Sequence, residues 1–104
     1  MRGDIYELKA SRNAKGYEQQ GNRYAVVVQS DLLPLSTWLV APTSTSAREA
    51  SFRPEIEVNG SPTLVLVEQT AAVDPQRLGH QVGHVTRAEL AAINAALRTV
   101  LDLL

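Results

Sequence analysis

Helical periodicity is confined to residues 86–104 of this chain, and everything before them reads as strands and turns. That asymmetry limits the fold to a mostly β (α+β) architecture closed by one C-terminal helix. Thr86-Arg87-Ala88-Glu89 fits a capping box, in which the threonine hydroxyl and the glutamate carboxylate satisfy amides at a helix start. Leu90, Ile93, Leu97, Val100 and Leu104 then recur at helical spacing and predict a single apolar stripe.

The strand signals come in sequence. Residues 4–9 alternate polar and apolar with period two, the mark of a strand with one solvated face. Residues 10–22 are polar, carry Gly16 and Gly21, and read as a long loop of the kind that is usually functional or mobile. Residues 24–29 form a continuous apolar run, a strand buried on both sides; Leu32-Leu33-Pro34 turns the chain, and 37–41 makes a third strand. Strands at 56–58 and 63–67 flank Asn59-Gly60, a favoured hairpin turn. Shorter strands follow at 70–73, before Asp74-Pro75, and at 80–85. The expected architecture is a small, strongly curved antiparallel sheet or barrel with a C-terminal α-helix, one domain over residues 1–104.

Composition narrows the function. With no cysteine, thiolate metal sites, disulfides and cysteine nucleophiles are excluded. No apolar run approaches the roughly 20 residues of a membrane span, and nothing resembling a signal peptide follows Met1. A cytoplasmic protein without membrane association is the expectation. The apolar fraction is 44% with only 5% aromatic, so the core must be Val, Leu, Ile and Ala. The net charge of −1 lacks the basic excess common in nucleic-acid binders. It hides an asymmetry: residues 1–53 carry Arg2, Lys9, Arg12, Lys15, Arg23, Arg48 and Arg53 against Asp4, Glu7, Glu18, Asp31 and Glu49. An anion site is therefore expected in the first half.

Several elements then form a recognisable series. Arg2-Gly3-Asp4-Ile5 opens the first strand. Gly16-Tyr17-Glu18-Gln19-Gln20-Gly21-Asn22-Arg23 precedes the apolar strand, and Pro42-Thr43-Ser44 ends the third. Val67-Glu68-Gln69, Asp74, Arg77-Leu78, Gly83 and the capped helix follow. In this order, over nearly the whole chain, the series resembles the MazF/PemK family of toxins. It departs at Tyr24, where the family usually has proline, and at Ala71, where it usually has arginine.

The resemblance implies an SH3-like, CcdB/PemK-type fold and a toxin–antitoxin function. The activity implied is sequence-specific, metal-independent endoribonuclease cleavage of single-stranded RNA. The 2′-hydroxyl attacks its own phosphate and leaves a 2′,3′-cyclic phosphate and a 5′-hydroxyl. No cofactor and no metal are implied. The expected partners are RNA, a MazE-like antitoxin and a second copy of the chain in a homodimer. By resemblance Arg23 and Thr43 are the catalytic pair, and Glu18 is a candidate acid/base. Gln19, Gln20, Asn22, Ser44, Thr45, Arg48 and Gln69 are expected to contact RNA. A guanidinium suits charge stabilisation of the phosphorane, because its fork of donors matches phosphate oxygens.

Plainer roles stand beside these. Hydroxyls at 43–46 commonly cap turns. His80 and His84, four apart, are expected on one face of a strand as ordinary sheet residues, and Trp38 in the core or a dimer interface. Two other functions are compatible with the same architecture. One is a CcdB-like gyrase poison, which relies on a Trp-Gly-Ile ending where this chain has Leu101-Asp102-Leu103-Leu104. The other is a non-catalytic SH3-like binding module.

Overall fold

The computed structural model describes residues 1–9 and 23–103. The long loop expected at 10–22 and the last stripe residue, Leu104, lie outside the described residues. Within them the strands are β1 (Asp4–Leu8), β2 (Arg23–Val27), β3 (Trp38–Ser44), β4 (Glu55–Val58), β5 (Ser61–Val65), β6 (Ala71–Val73) and β7 (Leu78–His84). One helix, α1 (Arg87–Leu101), follows. The strands form a single antiparallel sheet in the order β4-β5-β3-β2-β1-β7, curled into a half-barrel. Long β3 serves three neighbours: it pairs β2 along one edge, while β6 and β5 share the other, at Trp38–Val40 and Thr43–Ser44 respectively.

The strand alternation of β2 and β3 divides the interior in two. Ile5, Val26, Val28, Ala41, Ile56, Val58, Val65, Val67 and Val85 pack under the helix with Ile93 and Ala96. On the opposite face Ala25, Val27 and Val40 pack with Val73 and Leu78, and Tyr6, Leu8 and Trp38 border them. A strand buried on both faces has no polar positions, which is why residues 25–28 are continuously apolar. Trp38, expected in the core or a dimer interface, is partly buried against this second core, edge-on to Tyr6 with ring centroids 5.8 Å apart.

The turns obey their local chemistry. Asn59 and Gly60 have φ of 52° and 82°, positive at both central positions of the β4–β5 hairpin, as a type I′ turn requires. The fifth strand ends two residues earlier than the expected run to residue 67, because Val67–Gln69 winds into a 3₁₀ turn. A second 3₁₀ turn, Pro75–Arg77, starts at Asp74, whose carboxylate accepts the Gln76 amide at 2.9 Å.

The helix begins as its capping box dictates. Thr86 Oγ1 accepts the Glu89 amide at 3.1 Å and Glu89 Oε1 accepts the Thr86 amide at 2.7 Å. Glu89 Oε2 also accepts the Glu57 amide at 2.8 Å, tying the helix start to β4. Ile93 is fully buried, and Leu90, Leu97 and Val100 are partly so. Replacing Thr86 by alanine removes the cap and should cost about 1 kcal/mol, lowering Tm by roughly 4–8 °C. Ile93→Ala should cost about 2–5 kcal/mol, since it opens a cavity under the helix. Urea and thermal unfolding of both variants measure these losses.

Candidate functional site

Arg23 is the first residue of β2, directly opposite Leu8 of β1, and Leu8 in turn lies opposite Leu78 of β7. Residues opposite one another on neighbouring strands share a face, and so do alternate residues along a strand. Arg23 therefore projects on the face of Ala25 and Val27, toward the second core. There it joins Leu8, Val40, Pro42, Gln69, Ala71, Val73 and Arg77 around a cavity of about 170 Å³. Its Nε is shielded from solvent and finds no hydrogen-bond partner among the described residues. An unsatisfied buried guanidinium donor is costly and marks a place where an acceptor is wanted.

The hydroxyls at the end of β3 divide between the two faces. The β2–β3 register pairs Ala25 with Pro42, Val26 with Ala41 and Val27 with Val40. Thr43 follows Ala41 in phase, so its side chain belongs to the face under the helix, opposite to that of Arg23. It is 3% exposed, and its Oγ1 donates to the Tyr24 carbonyl at 3.0 Å. Ser44 has the phase of Pro42. Continuing the register by two residues brings Ser44 across from Arg23, on the same face. Ser44 Oγ accepts the amides of Ser46 and Ala47 at 3.2 and 3.0 Å, the turn-capping role open to any serine here. Thr45 and Arg48 are exposed on the loop beyond and do not line the cavity. Gln69, exposed at the end of its 3₁₀ turn, does. Glu18, Gln19, Gln20 and Asn22 lie outside the described residues.

Arg77 is the cavity residue that carries no expected role. The charge asymmetry pointed to an anion site in the first half, yet the cavity draws one arginine from each half. β1 brings them together, with Leu8 pairing to both Arg23 and Leu78. Arg77 is mounted at both ends: its amide donates to Asp74 O at 2.9 Å, and its carbonyl accepts the Lys9 amide at 2.8 Å. Its side chain is exposed, with Nη2 3.5 Å from the Lys9 carbonyl. The signal in the sequence was Asp74-Pro75, which starts the turn, but nothing local says which strand that turn abuts.

Two carboxylates, one beside the cavity and one at the far end of β1, hold charged partners. Arg53 Nε and Nη2 donate to Glu68 Oε2 at 3.0 and 2.6 Å, beside Gln69, and Arg53 Nη1 donates to the Arg48 carbonyl at 2.9 Å. Burial by itself would raise the Glu68 carboxyl, but the hydrogen bonds from Arg53 and from the backbone, with the charge of Arg53, outweigh it and hold the group below its usual range. At the other end of β1, Asp4 receives the N-terminal ammonium at 3.0 Å and lies 2.6 Å from His84 Nδ1. Its carboxyl is likewise lowered, burial again being outweighed by the bonds from His84 and the N-terminus. Four residues of strand, roughly 13 Å, separate this pair from the row of Arg23. His80 and His84, expected as ordinary sheet residues, both lie exposed on β7. Two register shifts interrupt the β1–β7 pairing between Ile5 and Leu8, so the ladder around His80 departs from plain period-two alternation.

This half-barrel, with its terminal helix and arginine-lined cavity, is the architecture of small β-rich toxins. Residues 1–101 match the model of the PemK-like, MazF-like toxins of type II toxin–antitoxin systems, and the chain belongs to that family. A Mycobacterium tuberculosis relative named "Putative toxin Rv3098A" is 38% identical over 104 residues, covering 99% of this chain and 98% of its own. Among solved structures, the fold is shared with the Mycobacterium tuberculosis toxin MazF-mt6 (TM-score 0.77, 18% identity, 96% of this chain and 97% of that one). A mycobacterial endoribonuclease in complex with its cognate antitoxin is similar as well (TM-score 0.80, 21% identity, 100% and 96%). So is MazF in a MazE–MazF complex from Deinococcus radiodurans (TM-score 0.79, 21% identity, 99% and 96%).

Both lowered carboxyls stabilise the fold above the ordinary carboxylate range, and that contribution is lost as pH falls through their depressed folded values. Unfolding free energy should thus be level from pH 7 to 5 and decline below about pH 4.5. Urea midpoints measured at intervals of pH should decline less steeply for Glu68→Gln, which has no carboxyl to protonate there.

Proposed function

We propose that this toxin is a metal-independent endoribonuclease that cuts single-stranded RNA at specific sequences. The observation that carries the reading is Arg23 Nε, shielded from solvent and without a partner among the described residues, at a cavity that also holds Arg77 and Gln69. In the proposed reaction the ribose 2′-oxygen attacks the adjacent phosphorus and the bond to the 5′-oxygen breaks. The products are a 2′,3′-cyclic phosphate and a 5′-hydroxyl. Negative charge builds on the phosphorane oxygens, where a preorganised guanidinium away from bulk water stabilises it most. Arg23 fills that role. It is a poor proton donor, since its pKa exceeds about 12. Glu18, on the segment leading into Arg23, is the proposed proton acceptor, and Gln19, Gln20, Asn22, Thr45, Arg48 and Gln69 are proposed RNA contacts.

Of the two hydroxyls at the end of β3, Ser44 is the one we assign beside Arg23. Strand phase supports it, and Thr43 acts instead as the buried bond that ties β3 to the Tyr24 carbonyl.

The partners follow from the same reading. A second copy of the chain is the proposed neighbour of an apolar surface on which Leu32 is 88% exposed and Met1, Leu33 and Leu35 each about half so. Three of these, Met1, Leu33 and Leu35, line one hollow with Pro34 and Trp38. Exposed apolar patches of this kind mark association surfaces. An antitoxin of the MazE type is the proposed inhibitor, and the cytoplasm the proposed compartment.

The test is incubation of the purified chain with a long unstructured RNA in excess EDTA, with the cut ends identified chemically. Discrete cuts ending in cyclic phosphate are expected. Arg23→Ala should slow them about 10²–10³-fold, the scale for removing one donor to a developing charge. Ser44→Ala should slow cleavage more than Thr43→Val, whose effect should fall on stability. Absence of any cut would sink the nuclease reading and make gyrase inhibition the next assay.

A further inference from the structure

The cavity that Arg23 lines is walled mostly by apolar groups. Leu8, Val40, Pro42, Val73 and Ala71 are apolar, and the polar groups, Arg23, Gln69 and Arg77, stand among them. At about 170 Å³ it is smaller than the roughly 300–1,000 Å³ of sites for drug-sized ligands. A flat apolar body with a polar edge, beside a phosphate-binding arginine, describes one nucleobase.

We propose that this cavity is a single-nucleobase pocket, with Ala71 giving it depth and Arg77 and Gln69 holding the base. The inference rests on the nuclease reading only for the identity of the natural ligand. Ala71 lies opposite Val40 in the β3–β6 register, so position 71 directs its side chain onto the cavity face. A methyl group there leaves space that a long side chain would fill. Gln69 presents an amide, a donor and an acceptor together, suited to the edge of a base. Arg77 is held at its backbone by Asp74 and Lys9 while its side chain stays exposed. A planar guanidinium on a fixed mount stacks on a base face or binds the phosphate next to it. Unlike Arg23, it sits at the pocket for recognition, so it acts on which RNA is cut rather than on the bond-breaking step.

The experiment titrates the ¹⁵N-labelled full chain with each of the four nucleoside 3′-monophosphates and, separately, with inorganic phosphate. One nucleotide should bind more tightly than the others and than phosphate, with shifts centred on Gln69, Ala71 and Arg77. Ala71→Arg, at an exposed position that tolerates the change in the fold, should erase the advantage of that nucleotide while leaving phosphate binding equal or tighter. Arg77→Ala should weaken the nucleotide about tenfold, the scale of losing one stacking or cationic contact. Equal binding of all four nucleotides and phosphate would overturn the pocket, as would shifts centred elsewhere or an undiminished preference in Ala71→Arg. Cleavage plays no part in this readout. A chain that shows the preference but cuts no RNA keeps the pocket and loses the nuclease. One that cuts RNA without the preference keeps the nuclease and loses the pocket.

Discussion

The β2–β3 pair is buried on both faces, and the rest of the molecule is arranged by that constraint. Val26, Val28 and Ala41 supply the core under the helix, while Ala25, Val27 and Val40 supply the one beside the cavity. A slip of one residue in register would exchange the two sets, and with them every polar residue at the strand ends. The helix, β5 and the hairpin to β4 complete one core; β6, Trp38 and Leu78 complete the other. Because both faces are packed, the phase of the strands is held firmly, and the side chains just beyond the packed stretch inherit it.

That inheritance builds the site. Arg23 continues the phase of Ala25 and Val27, so a cation emerges from the apolar wall of the second core with its Nε out of water. Around it converge a glutamine from a 3₁₀ turn, a small residue on β6 and a second arginine from the turn before β7. The Arg53–Glu68 pair fixes the turn that presents Gln69 to the loop after β3, and the Asp74 cap shapes the turn that presents Arg77. A toxin of the MazF/PemK family thus presents two arginines on rigid mounts around an apolar hollow.

Much of this was legible in the chain. The two-sided burial of β2, the Asn59-Gly60 hairpin, the capping box and the amphipathic helix each depend on a few neighbouring residues, so each was read directly. Arg23 stands out through its motif, and the fold sets it at the cavity. Three features were not legible. The two register shifts of the β1–β7 ladder, which insert two extra residues into β7 between Leu78 and Gly83, have no mark in the β7 segment itself. Thr43 and Ser44 are adjacent hydroxyls whose difference is one of phase, visible only once β3 is paired with β2. Arg77 is an ordinary surface arginine until Lys9 and Leu8 place it beside Arg23.

The sequence by itself determined the kinds of element, their order and the family, because periodicity, caps and turn dipeptides act over a few residues. The tertiary structure decided which side chains meet. Strand pairing joins residues 8, 23, 42, 71 and 77 across long separations in the chain, and it assigns each a face through its register. Register is set by how well the two cores pack at once, a property of the whole sheet that no single segment contains.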